Sequence, residues 1–374
     1  GCQQIKRILQ VNLLNLLNLL TEALTGGQAM IIETRTPARA ALIGNPSDGF
    51  NGVTISFTFD AFCASVKLWE SPELEIRPWR MDSTTFVSME DLVHNVTSYG
   101  YYGGIRLIKA IIKVFYDYCR ELGIELDRKN FTITYCSNIP IRVGLAGSSG
   151  IITAVIRALM RFYGVSIPKQ TLPNLILRAE TDELKIGAGL QDRVAQTYGG
   201  LVYMDFDKEL MKRGFGLYEN LDYKSLPPLF IAYDDSYTEG TELFHNPLRE
   251  RYQRGDREVI DSLQAIADCA RQFRKALAVG DMEEMERLMK ENLELRLRLQ
   301  PVNDLNRRLI EAARGAGACA KLCGSSGAVV GIYRDEDMYY RLQENYRAIS
   351  AQLLKPRIVE YPFDTPENSA PVPR

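Results

Sequence analysis

The apolar and polar positions of the first third of the chain alternate in short runs that predict β-strands. These runs cover residues 30–35, 40–44, 54–59, 63–69 and 74–77, and turn-forming residues separate them. Such a succession predicts an antiparallel meander. Apolar residues then recur at helical spacing over 102–120, and renewed alternation over 131–135 predicts another strand.

Helical periodicity dominates the rest of the chain. Apolar residues at helical spacing predict helices over 150–163, 172–184, 256–279, 281–299 and 303–315. The strands expected among them cover 201–206, 229–233, 328–333 and 357–361, with one more helix before the last strand. This mixture of helices and strands predicts the α+β class.

The chain of 374 residues is long enough for two domains. Pro227 and Pro228 interrupt the pattern before the apolar run over 229–233, so we expect one domain over 31–225 and a second over 226–363. Proline and polar residues fill 364–374, which predicts a disordered tail.

Residues 1–30 contain an apolar segment that superficially resembles a signal peptide. Asn12, Asn15 and Asn18 interrupt it every third residue, and an uninterrupted run of about 18 apolar residues is needed to span a bilayer. We therefore predict an appended amphipathic helix or linker, with no membrane association. A partner-binding helix and a module that sets the oligomeric state are the alternatives.

Composition narrows the class of protein. Lys and Arg number 45 and Asp and Glu 47, which gives a net charge of −2 without the basic excess of a nucleic-acid binder. The seven cysteines are odd in number and scattered, so a disulfide framework is disfavoured and the cytoplasm is the expected location. We expect a metabolic enzyme that acts on a small molecule, with a monomer and a homo-oligomer both left open.

A glycine- and serine-rich loop follows the strand over 131–135 and leads into the helix over 150–163. The unpaired N–H groups and the positive dipole end of such a helix start bind anions, phosphate above all, although many loops of this kind are plain connections. The loop lacks the Walker A and G-x-G-x-x-G patterns. Its candidate ATP-binding residues are Pro140, Gly144, Leu145, Ala146, Gly147, Ser148, Ser149 and Gly150.

With this loop, three segments in the same order resemble the motifs of the GHMP kinase superfamily. The opening motif corresponds to residues 37–48, the phosphate loop to 140–149, and the C-terminal glycine loop to 321–328. The resemblance implies a two-domain fold, with an N-terminal domain of the ribosomal protein S5 domain 2 type and a C-terminal ferredoxin-like domain. It also implies ATP and Mg²⁺ as cofactors and an active site in the cleft between the domains.

The segments between the motifs indicate a substrate. Residues 43–50, 101–107, 188–196 and 198–201 resemble the plant glucuronokinase branch of the superfamily, which phosphorylates D-glucuronate at its anomeric hydroxyl. The implied function is an ATP-dependent sugar 1-kinase. Another small-molecule kinase of the superfamily, acting on galactose, arabinose or a heptose, and a non-catalytic sugar sensor are the alternatives.

The resemblance also implies catalytic and metal-binding residues. Asp192 corresponds to the aspartate that accepts or orients the proton of the attacking hydroxyl, and Arg39 corresponds to its basic partner. Glu180 and Ser148 correspond to ligands of Mg²⁺, and Ser149 could exchange roles with Ser148. The alternatives are a helix-capping role for Asp192, a surface position for Arg39 and a solvated helix face for Glu180.

The implied substrate pocket is less regular. Asp48 corresponds to an aspartate that binds sugar hydroxyls, but Asn45 and Pro46 replace the usual Glu-His. The carboxylate of a uronate requires a cation, for which Arg106 and Arg193 are candidates. In the third motif, where Cys323 and Ser326 depart from the pattern, Gly324 and Ser325 are expected to flank the substrate. Trp69 is a candidate wall for adenine, with core packing as its alternative.

Overall fold

Two long antiparallel strands organise the first half of the protein. The computed structural model describes residues 30–79, 82, 86–99, 103–234 and 242–360. The predicted segment 1–30, apart from residue 30, and the predicted tail 364–374 therefore lie outside the described residues. Strand β1 (Ile32–Ile43) pairs with β2 (Val53–Ser71), and register shifts occur at Pro37/Ala38 and at Ala41/Ile43. The four short strands predicted here were therefore wrong, because irregularities bend these strands without ending them.

Strand β2 is the centre of the first sheet. Its first half pairs with β5 (Leu201–Asp205) and its second half with β4 (Asn130–Ser137), while β6 (Leu217–Leu221) extends the sheet beyond β5. The two-residue strand β3 (Glu75–Ile76) pairs parallel to β4, which corrects the prediction of a purely antiparallel meander. A parallel pair requires a long connection, and helices supply it here.

The helices of the first half include three that periodicity did not predict. Predicted helices appear as α2 (Ile105–Glu121), α3 (Gly147–Tyr163) and α4 (Leu172–Arg178). One turn of π-helix, Ala179–Glu183, continues α4. The unpredicted helices are α1 (Met89–Tyr99), α5 (Leu190–Tyr198) and the single-turn α6 (Lys208–Met211). Helix α3 packs on both long strands, and the Thr34 hydroxyl donates to the Ala154 carbonyl at 2.7 Å.

A second sheet, in the order β10-β7-β9-β8, occupies the second half. Its strands are β7 (Leu229–Tyr233), β8 (Cys319–Leu322), β9 (Ala328–Ile332) and β10 (Gln352–Leu354). The closing strand predicted over 357–361 was wrong, since Ile358 instead makes one isolated bridge with Phe59 of the first sheet.

Five helices accompany this second sheet in the described part of the chain. They are α7 (Glu242–Gln253), α8 (Arg257–Val279), α9 (Met282–Leu299), α10 (Asp304–Gly315) and α11 (Glu336–Ala348). An Asp or Asn side chain caps the first turn of each of the last four, as such residues do at helix starts. No described helix is long and apolar enough to cross a membrane.

Strand β1 joins the two halves. The Ala41 amide donates to the Cys323 carbonyl at 3.0 Å, and one hydrophobic core contains residues of both sheets, such as Phe57 and Val330. The first sheet ends at Leu221 and the second begins at Leu229. The domain limits at 225 and 226 stay a prediction. The three predicted site motifs meet where β1 joins the two halves of the chain.

Candidate active site

A cavity of about 630 Å³ lies where β1, the glycine–serine loop and the loop after β8 come together. Its lining includes Trp79, Tyr135 and the start of α2. It also includes Asn45, Asp48 and Arg296, together with Asp192 and Glu180. This volume is ample for a small-molecule site.

The glycine–serine loop forms one wall of the cavity. Arg142, Gly144 and Ala146 all have positive φ, so the loop turns sharply before α3 begins at Gly147. The first amides of α3 and its positive dipole end therefore lie at the cavity, where an anion would be stabilised. Of the predicted ATP-binding residues, those that line the cavity are Pro140, Gly144, Leu145, Ala146, Gly147 and Ser148.

The two serines of the loop face opposite ways. The Ser148 hydroxyl donates to Glu180 Oε1 at 2.7 Å in the cavity wall, whereas Ser149 is fully buried and donates to Gln196 Oε1. Gly150 also lies outside the lining, and a Cβ there would meet Gln196 and Ile139 at 3.2 Å. Ser149 and Gly150 therefore pack the helix rather than face the cavity, which corrects the prediction that both contact ATP.

Glu180 lies in the turn of π-helix that follows α4 and is fully buried. Its Oε2 accepts from Nε of Arg193 at 2.8 Å and from Arg193 Nη2, and Arg193 Nη1 donates to the Gly189 carbonyl at 2.9 Å. The nitrogens of Arg193 are thus all engaged. This argues against Arg193 as the cation that receives a uronate carboxylate, and gives it a positioning role for Glu180 instead.

Asp192 lies in the first turn of α5 and forms an ion pair with Arg39 of β1. Arg39 is almost fully buried, and its Nη1 also donates to the Cys323 carbonyl at 2.7 Å. Burial by itself would raise the pKa of Asp192, but the charges of Arg39 and Arg193 hold that pKa below its ordinary value. Asp192 is therefore ionised at neutral pH and held in one orientation.

Asp48 follows β1 in a 3₁₀ turn, Ser47–Phe50, and faces the same cavity. A Cβ on Gly189 would lie 2.9 Å from Asp48 Oδ2, so the glycine makes room for the carboxylate. Burial and the charge of Asp192 raise the pKa of Asp48 to about 7, against the opposing effect of Arg39. Two carboxylates in one cavity thus have well-separated acidities, as in many acid–base sites.

The loop after β8 packs on the glycine–serine loop through paired glycines. A Cβ on Gly324 would lie 2.6 Å from the Gly144 carbonyl oxygen, and one on Gly144 would lie 2.9 Å from the Ser326 carbonyl oxygen. Gly324 and Ser325 line the cavity. The third motif thus closes the cavity from the second half of the chain.

The tryptophan in the cavity wall is Trp79. Its ring centroid lies 6.0 Å from that of Tyr135, and the Tyr135 hydroxyl donates to Asp82. The residues lining the cavity do not include Trp69, over whose ring the Arg77 guanidinium lies at 5.3 Å. The prediction of Trp69 as an adenine wall was therefore misplaced. Arg106, in the first turn of α2, also lines the cavity.

Two buried cations, one beside Asn45 and one near Asp48, were missed by the sequence. Lys321 Nζ donates to the Leu322 carbonyl at 2.9 Å and to Asn45 Oδ1, and burial together with the charge of Arg296 lowers its pKa to about 7. Arg296 reaches the cavity from α9. The signal for Lys321 was its place in an otherwise apolar strand, but Arg296 stands among many charges of a helix.

The cavity has oxygen atoms that fit a magnesium ion. Ser148 Oγ and Glu180 Oε1 are 2.7 Å apart at the start of α3, and hydroxyl and carboxylate oxygens are the donors that Mg²⁺ prefers. Among the described residues no cluster of three His, Cys, Asp or Glu side chains is present. One carboxylate and one hydroxyl are sufficient where phosphates supply further ligands.

Family models place this chain in a known class. The models for the GHMP kinases N terminal domain and the GHMP kinases C terminal match residues 106–200 and 273–348. The first matched range contains the glycine–serine loop, Glu180 and Asp192, and the second contains the loop after β8. The protein belongs to the GHMP kinase family and is an ATP-using phosphotransferase.

More particular relatives come from Arabidopsis thaliana. The chain is 45% identical to probable glucuronokinase 2 over 316 residues, which cover 82% of this chain and 86% of that protein. It is 44% identical to glucuronokinase 1, with 81% and 86% covered. The Lactococcus lactis galactokinase solved with galactose has the same fold at 15% identity, with a TM-score of 0.69 and 93% and 98% of the two chains covered.

Proposed function

We propose that the protein transfers the γ-phosphoryl group of ATP to the anomeric hydroxyl of D-glucuronate, with Mg²⁺ as the metal ion. The observation that carries the chemistry is the ionised Asp192, which Arg39 holds in a cavity that also contains the start of α3. The substrate rests on the identity of 45% to a probable glucuronokinase. We also expect a cytoplasmic enzyme, in keeping with the free state of all six described cysteines.

Asp192 would accept or orient the proton of the attacking hydroxyl. Because its pKa lies below the ordinary value, it is a weak base, and orienting the hydroxyl is the larger part of its contribution. Phosphoryl transfer through a loose transition state requires mainly positioning and charge stabilisation. Arg39 fixes the carboxylate and carries positive charge beside the path of the phosphoryl group.

Ser148 and Glu180 would hold the magnesium ion. Bound Mg²⁺ neutralises charge on the phosphate oxygens of ATP. Arg193 keeps Glu180 in place through Oε2 and leaves Oε1 directed at Ser148. The first amides of α3 would bind phosphate oxygens, and Trp79 and Tyr135 would offer aromatic surface to the adenine.

ADP release in the presence of different sugars tests this function. We expect turnover with D-glucuronate, and weaker or no turnover with D-galactose, L-arabinose and a heptose. Turnover of one of these sugars without turnover of glucuronate would favour another kinase of the family. Binding of ATP and glucuronate without ADP release would favour a sensor.

A further inference from the structure

From the structure we infer that Arg296 binds the carboxylate of the sugar substrate and thereby selects a uronate over a neutral hexose. This inference rests on the proposed function. Neither the opening motif nor the glycine loops contain Arg296, which belongs to α9 in the second half of the chain.

Arg296 is a buried cation that lacks a charged partner. It is 7% exposed, its Nη2 donates to the Ser325 carbonyl at 3.3 Å, and its Nη1 is buried without a hydrogen-bond partner. No described carboxylate lies within 4 Å of it. Buried donors without a partner are uncommon in folded proteins, so such a group in a cavity wall calls for an acceptor.

Arg296 stays charged at neutral pH despite its burial. Burial lowers its pKa to about 10, and the charge of Asp48 opposes that effect. An arginine with this pKa remains protonated at neutral pH. The cavity therefore presents a permanent positive charge beside the segment that carries Asp48.

Helix α9 brings Arg296 near Asp48, the residue expected to bind sugar hydroxyls. One turn earlier on the same face, Asn292 accepts from the Gly44 amide at 2.8 Å and donates to the Asn45 carbonyl at 3.4 Å. The helix is thus fastened to the turn that leads into Asp48. Of the other nearby cations, Arg193 is paired with Glu180, Arg39 with Asp192, and Lys321 donates to carbonyl and amide oxygens, while Arg106 belongs to α2.

The chemistry of a guanidinium suits this task. Its two terminal nitrogens can donate in parallel to both oxygens of a carboxylate, whereas a hydroxymethyl group offers one neutral oxygen. A neutral hexose would leave the buried charge without a counter-ion. A neutral sugar would leave the buried guanidinium of the enzyme unpaired. The preference for a uronate over a neutral hexose should therefore be larger than a difference in pocket shape alone would give.

The test compares Arg296→Gln with Arg298→Gln, an exposed arginine two residues further along the same helix. Isothermal titration measures the Kd of D-glucuronate and, separately, the Kd of ADP. We expect Arg296→Gln to weaken glucuronate binding by about 100-fold while the Kd of ADP stays within threefold. Arg298→Gln should leave both unchanged, and Arg296→Lys should recover part of the loss.

Equal glucuronate binding by the wild type and Arg296→Gln would overturn the inference and leave the proposed function standing. A parallel loss of ADP binding in Arg296→Gln would also overturn it, because the guanidinium would then support the nucleotide or the fold. Absence of glucuronate binding by the wild-type protein would instead refute the proposed substrate, and with it this role of Arg296.

Discussion

Replacement of Asp192 by Asn removes the charge at the centre of the proposed mechanism and changes little else in size. Arg39, Arg193, Glu180 and Asp192 together carry two positive and two negative charges. The variant leaves this group with a net charge of +1. The buried Arg39 loses its ion pair but keeps its hydrogen bond to the Cys323 carbonyl.

Two effects follow from the geometry. Loss of the carboxylate that orients the attacking hydroxyl and accepts its proton reduces kcat by about 100- to 10,000-fold. The added positive charge lies near the expected phosphates, so the KM for ATP should stay the same or fall. Loss of a hydrogen bond to a charged group costs about 1.5–3 kcal/mol of folding stability, which a melting experiment would register.

The assay is glucuronate-dependent ADP release, measured alongside thermal unfolding. Asp182→Asn is the matched control, since its carboxylate is 62% exposed and lies in the same part of the chain as Glu180. Asp182→Asn should retain wild-type kcat. A folded Asp192→Asn protein with kcat within threefold of the wild type would remove Asp192 from the mechanism.

Three further changes test other parts of the site. Gly189→Ala places a Cβ against Asp48, so we expect the KM for the sugar to rise about 10-fold. The control is Gly187→Ala, whose Cβ has open space around it and which should show the wild-type KM. Ser148→Ala should raise the Mg²⁺ concentration for half-maximal activity by about 10-fold, and an equal shift in Ser149→Ala would contradict the assignment. The free energy of unfolding of Asp48→Asn should increase relative to that of the wild type as the pH rises from 4 to 8, by at most about 4 kcal/mol. Urea unfolding measures this difference, and a difference that does not change with pH would refute the raised pKa of Asp48.

The sign of that last effect follows from the pKa. Folding raises the pKa of Asp48 from 3.8 to about 7, so the folded state binds the proton more tightly than the unfolded state does. Protonated Asp48 costs no stability below pH 3.8. Stability is then lost progressively as the pH approaches 7 and the carboxyl ionises in the folded protein.

Local sequence was sufficient for features that depend on local chemistry. The glycine–serine loop and the helix after it could be predicted because a run of glycines and serines and helical periodicity are visible in the sequence. The amphipathic pattern likewise predicted α8, α9 and α10 to within two residues at each end. Family resemblance, rather than periodicity, singled out Arg39 and Asp192, which are 153 positions apart and meet in the structure.

Features that depend on tertiary packing could not be read in this way. Pro37 looks like the end of a strand, yet a register shift lets β1 continue through it. Trp69 and Trp79 are equivalent as letters, and only the folded chain shows that Trp79 packs against Tyr135 in the cavity wall while Arg77 lies over Trp69. Arg296 resembles its exposed neighbour Arg298 until α9 packs against the turn at Asn45.

Stoichiometric analysis of the product of ATP and D-glucuronate tests the central claim most directly. Phosphorylation at the anomeric hydroxyl locks the ring and removes the reducing end. We therefore predict that one reducing end disappears for each ADP formed, with the ³¹P signal of a sugar 1-phosphate. ADP formation with the reducing end retained would place the phosphate on another hydroxyl, and absence of glucuronate-dependent ADP would contradict the proposed substrate.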